Sequence, residues 1–73
     1  MVYTDGVHLV AESEAELHAF ARGIGLKSEW FQNRSRLPHY DLMGCKCSLA
    51  ARAGAQVITP RDIVRLHQEG RIP

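Results

Sequence analysis

Along Val7-His8-Leu9-Val10-Ala11 the side chains sort by face, with His8 and Val10 on one side of an extended strand and Val7 and Leu9 on the other. Val2-Tyr3-Thr4 before it is also β-prone, and Asp5-Gly6 between them is a turn pair. The two segments pair as a hairpin or run as one strand bulged at Gly6. The period then becomes helical: Leu17, Phe20, Ala21 and Ile24 recur at i, i+3, i+4 and i+7. Ser13 and Glu16 have capping-box spacing, and Glu14 and Glu16 lie where the helix dipole favours acids. Gly25 suits the left-handed position past a helix end, and Leu26 can fold back onto the last turn. The spacing predicts a helix over 14–24.

Ser28 to Gln32 reads as one further helical turn capped by Ser28, and Asn33 to Pro38 as a polar loop. Pro38 forces Leu37 out of helical geometry. His39-Tyr40-Asp41-Leu42 leads into a second helix over 43–53, which packs Leu49, Ala50 and Ala53 and stops at Gly54. Gln56-Val57-Ile58 reads as a strand. Thr59 as N-cap, Pro60 at the first helical position and Asp62 in the first turn open a last helix, which buries Ile63, Val64 and Leu66 and ends at Gly70. The order β-α-α-β-α gives an α/β class: a small sheet of two or three strands, at least partly parallel, packed with about three helices. The whole chain, 1–73, reads as a single domain.

Composition narrows the function classes. An apolar share of 45% argues for a packed fold rather than disorder. So short a core rarely supplies more than about 3–5 kcal/mol, which leaves a homodimer as one way to cover its apolar surface. A net charge of +1 makes no electrostatic case for nucleic acid, although Lys27, Arg34, Arg36, Lys46 and Arg52 could form a local basic patch. Cys45 and Cys47 are too close for an unstrained disulfide, and a pair spaced this way lacks the four ligands of a zinc motif. Inert reduced thiols and a cytoplasmic location fit better. No apolar run reaches the length of a membrane span, and no signal peptide opens the chain.

Asp5, His8, His18, His39, Asp41 and Lys46 collect at predicted element ends. In His39-Tyr40-Asp41, an imidazole can hold a proton while the neighbouring carboxylate orients it or binds a cation. Lys46, about a helical turn further on, could neutralise a phosphate. The plainer alternative makes Asp41 a helix cap and leaves His39 and Tyr40 packed and hydrogen-bonded. His8 and His18 could join His39 in a divalent-metal or catalytic cluster, or simply border the core. Trp30 and Phe31, beside Arg34 and Arg36, can stack bases and grip phosphates, carry a protein–protein contact, or serve as core and lid.

The stretches HLVAESEAELHAFARGIGL (8–26), EWFQ (29–32), PHYDL (38–42), the lysine at 46 and AGAQVITPRDI (53–63) resemble an uncharacterised family of short bacterial and phage proteins, a domain of unknown function. The likeness covers most of the chain. It implies recurrent polar positions at Asp5, His8, His18, Trp30, Gln32, His39, Tyr40, Asp41 and Lys46. It implies no activity. The chain departs from the family pattern at Met43-Gly44-Cys45-Lys46-Cys47, where relatives carry a polar or proline-containing helix start followed by Ser-Lys-Arg.

The leading expectation is a polar-pocket domain that binds a phosphate-bearing or nucleic-acid ligand and acts as a hydrolase or nuclease. His8, His39, Asp41 and Lys46 would do the chemistry, with Asp5, His18, Trp30, Gln32, Arg34, Arg36 and Tyr40 around the ligand. The alternatives are a non-catalytic dimerisation module resting on Trp30, Phe31 and Tyr40, and a small metal-binding protein using His8, His18 and His39. No motif names a cofactor; a divalent metal is the one the histidines suit.

Overall fold

The computed structural model describes residues 1–32, 37–42, 44 and 46–73. Strands β1 (Val2–Thr4) and β2 (His8–Ala11) form an antiparallel hairpin, with Val2 opposite Ala11 and Thr4 opposite Leu9. Of the two arrangements open to the sequence, the hairpin is the one formed. Gly6 turns the chain at φ 95°, a region that side chains disfavour. Asp5 closes the turn, its Oδ1 accepting from the Val7 N–H at 2.9 Å and the His8 N–H at 2.7 Å.

Helix α1 (Glu14–Gly23) starts where the Ser13 hydroxyl accepts from the Glu16 N–H at 3.1 Å. The Glu16 carboxylate pairs with the Met1 ammonium, so the cap works through serine. At the other end the Leu26 N–H reaches the Ala21 carbonyl at 2.9 Å and the Gly25 N–H reaches that of Arg22 at 3.1 Å, as the Gly25-Leu26 pair predicts. A 3-10 turn, Ser28–Trp30, follows. Lys27 holds its N-cap position and no side chain caps it, which corrects the expected role of Ser28. Two strands come next, β3 (Phe31–Gln32) and β4 (His39–Asp41). Helix α2 (Lys46–Arg52), strand β5 (Gln56–Val57) and helix α3 (Pro60–Gln68) complete the path.

The α/β class, three helices and a partly parallel sheet are as expected; the strand count and order are not. Among the described residues the sheet has five strands in the order β3-β4-β2-β1-β5. Only β1 and β5 pair in parallel among the described residues. Antiparallel pairing joins β1 to β2, β2 to β4 and β4 to β3. Two- and three-residue strands offer at most one alternation, too little for a period to show. They are strands because neighbours take up their backbone groups.

Side chains from β2 divide the core. Leu9 and Ala11 pack with Leu17, Ala21, Tyr40 and Ala50 beneath α1 and α2. Val10 packs with Ile63, Ile72 and the partly buried Tyr3 and Leu66 beneath α3. Val64, expected on the buried side of α3, is 54% exposed. No helix among the described residues is long and apolar enough to cross a membrane.

The α3 start is a complete capping box: the Thr59 hydroxyl accepts from the Asp62 N–H and the Asp62 carboxylate accepts from the Thr59 N–H, both at 3.1 Å. Thr59→Ala is expected to lower stability by about 1 kcal/mol in a urea melt. The Thr59 backbone N–H, helped by its hydroxyl, holds the Asp62 carboxyl below its ordinary value of 3.8. A carboxylate depressed in the fold stabilises it above the unfolded value, so this contribution is full at neutral pH and fades as pH falls through the lower folded one.

Candidate functional site

The site follows from the register of β4. Alternation sends His39 and Asp41 to the α3 face of the sheet and Tyr40 to the face beneath α1 and α2. His8 lies directly opposite Asp41, and Gln32 directly opposite His39. Residues opposed in an antiparallel pair share a face, so His8, Gln32, His39 and Asp41 stand together. The His8 and His39 rings meet edge to face, with centroids 5.1 Å apart. His39 Nε2 is 3.4 Å from Asp41 Oδ1.

Both rings are held from behind. The Asp5 carboxylate accepts from His8 Nδ1 at 2.9 Å. Burial alone would push the Asp5 carboxyl up, but the His8 ring and the Val7 and His8 backbone N–H groups outweigh it and hold the carboxyl below its usual value. Asp5 is therefore ionised near neutral pH and acts only as an acceptor. The Leu37 carbonyl, which can only accept, takes the His39 Nδ1–H at 2.8 Å. Each imidazole thus spends its Nδ1–H on a protein oxygen and leaves Nε2 for the site. Anchoring of this kind is how metal-binding histidines are oriented.

One ligand atom each from His8, His39 and Asp41 lies within 4.8 Å of the other two. Two donors sharing one tetrahedral ion stand about 3.4 Å apart at ordinary bond lengths. The His39–Asp41 edge already has that span, and the His8 ring, with its side chain 43% exposed, has room to close the rest. Two imidazoles and a carboxylate suit zinc, manganese or iron better than calcium or magnesium, which prefer all-oxygen shells. Three protein donors also leave a coordination position for a ligand.

Beside the cluster is a cleft of about 320 Å³ lined by Asp5, His8, Leu37, His39, Pro60, Ile63 and Val64. It lies between the sheet and the first turns of α3.

Other expected site residues lie elsewhere. His18, on α1, shares a 2.7 Å hydrogen bond with the Tyr40 hydroxyl through Nδ1 and packs on the Phe31 ring at 4.6 Å. A second hollow, on the opposite face of the sheet, is lined by His18, Arg22, Leu26, Ser28 and Tyr40. Burial pushes the Tyr40 phenol up, while Arg22 pulls it down by less. A His8-His18-His39 cluster is therefore not formed; Asp41 takes the third place. Lys46 points its ammonium at the Ile24 carbonyl, 3.4 Å away at the end of α1, and leaves the His39-Asp41 pair alone. Asp41 lies in strand β4, and among the described residues it forms no helix cap. Phe31 and Trp30 are partly buried against the α1 core, as core and lid, with the Lys27 ammonium 5.8 Å from the Trp30 ring centre. Cys47 is a free thiol. Arg34, Arg36 and Cys45 lie outside the described residues.

Sequence reasoning missed the anchoring roles of Asp5 and the Leu37 carbonyl. The Asp-Gly-x-His spacing was a usable signal for the first, since a turn aspartate reaches the residue three places on; nothing marked the second.

A family model described as "Protein of unknown function (DUF4031)" matches residues 4–70. Neither the curated proteins nor the solved structures give a match.

Proposed function

We propose, for a chain that belongs to this family of proteins of unknown function (DUF4031), that it binds a divalent transition metal through His8, His39 and Asp41 and hydrolyses a phosphate ester there. One observation carries the reading: three donors of metal-binding type converge on one face, with both histidines tied at Nδ1 by acceptors. A bound divalent ion would supply the positive charge that attracts the ester and the acidity that makes water a nucleophile near neutral pH. His8, His39 and Asp41 would hold it. Gln32, opposite His39 on the edge strand, stands where an amide can bond a ligand oxygen. In the hydrolysis the water oxygen bonds to phosphorus, the ester oxygen leaves with a proton, and phosphate is released.

Calorimetric titration of metal-free protein with Zn²⁺ or Mn²⁺, followed by a p-nitrophenyl phosphate and bis-p-nitrophenyl phosphate assay, tests both halves. The expected result is one saturable equivalent and turnover only with metal present. Absence of saturable uptake of zinc, manganese or iron would remove the reading.

Asp5→Asn keeps an oxygen for the turn but offers His8 Nδ1 an amide in place of an obligate acceptor. Metal affinity is expected to fall by about 10–100-fold, the usual cost of losing such an anchor. Unchanged far-UV circular dichroism would separate that loss from unfolding.

A dimerisation module is the second reading, favoured by the open edge of β5, where Val57 is 65% exposed. Tyr40 and Phe31 would contribute little to it, because they pack beneath α1. Sedimentation at twice the 8.2 kDa chain mass supports it, and a strict monomer retires it.

A further inference from the structure

Resting on the metal reading above, we infer that the ligand is a small phosphate ester whose other half is one apolar ring, and that this ring seats on Leu37, Pro60, Ile63 and Val64.

The cleft lining is predominantly apolar, with two imidazoles among it. His8 and His39 belong to the polar part, with Asp5 bonded to His8 Nδ1. The apolar part consists of four side chains, Leu37 from the approach to β4 and Pro60, Ile63 and Val64 from the first turns of α3. Ile63 is 4% exposed and belongs to the core, so the wall has a rigid base. Val64, the next residue of α3, also lines the cleft and is 54% exposed. With Leu37, Pro60 and Ile63 it makes an apolar wall that a ligand's ring can cover. Small-molecule sites have this composition: mostly apolar walls, with a few polar groups that fix orientation.

Size and charge decide what enters. A space of about 320 Å³ is at the low end of ligand pockets and takes one ring with its phosphate. A polynucleotide needs a basic track along its backbone, and a net charge of +1 does not supply one. The attraction for phosphate is therefore local to the metal, and the rest of the affinity comes from covering the apolar wall.

Equilibrium binding of phenyl phosphate and methyl phosphate to the zinc-loaded protein, each presented as its non-hydrolysable phosphonate analogue, tests this. The two share a phosphate and differ in the ring. Phenyl phosphate is expected to bind about tenfold or more tightly. In Val64→Ser that ratio is expected to drop at least threefold, with metal still bound at one equivalent. Val64→Ile, which keeps an apolar surface, should restore it. Equal binding of the two esters overturns this inference and leaves the metal reading standing. Failure of both esters to bind a protein that holds its metal overturns the phosphate reading and this inference together. Binding of a single-stranded oligonucleotide more tightly than phenyl phosphate overturns the small-ligand assignment.

Discussion

His39→Ala is expected to reduce affinity for a divalent transition metal by at least about 100-fold, more than loss of an anchoring residue costs. His39 joins the site's two other donors: its Nε2 is 3.4 Å from Asp41 and its ring meets that of His8. Its removal leaves one imidazole and one carboxylate, too few to compete with water for the ion. The His39 side chain is 17% exposed and borders the core rather than filling it, so thermal unfolding of metal-free protein is expected to shift by only a few degrees. The measurement pairs a metal titration with a melt of the metal-free chain. Undiminished affinity in a folded variant would show that the ion, if bound, sits elsewhere. In the parent protein, excess metal should raise the melting temperature with concentration, because only the folded state brings the three donors together. Addition and withdrawal of a chelator should reverse that rise.

Leu9→Ala is expected to cost about 2–5 kcal/mol, against the roughly 3–5 kcal/mol that a core of this size supplies. Leu9 is fully buried in β2, pairs with Thr4 on one side and Tyr40 on the other, and packs against the α1 layer. Truncation leaves a cavity at the middle of the sheet, where neighbours on both strands are held by hydrogen bonds and cannot collapse into it. The variant is expected to unfold near ambient temperature. Urea denaturation of parent and variant, compared at equal slope, gives the difference. A loss below about 1 kcal/mol would mean the core is far more plastic than its burial indicates.

What could be read from the chain was whatever depends on local chemistry. Ser13, Gly25, Thr59 and Gly54 marked helix ends because caps and left-handed stops are set within a few residues. The pairing of His39 with Asp41 was legible for the same reason, and His8 was grouped with them because it too fell at an element end. The strands β3 and β4 were not legible. His39–Asp41 becomes a strand because β2 and β3 flank it, and β2 is distant in sequence. The fate of Lys46 was hidden likewise, since a helix beginning later than predicted sends its ammonium to the end of α1. His18 went astray because proximity in an element order says nothing about the side of a sheet; only the register of Tyr40 reveals that it bonds across the opposite face.

The three residues of β4 give the molecule an internal readout of its own assembly. A slip by one position would push the Tyr40 phenol outward and bury two polar side chains, so the core and the donors stand or fall in the same event. Uptake of a coloured ion such as Co²⁺ would then report correct strand pairing directly. Variants of this scaffold could be sorted by that tint, without a substrate in hand.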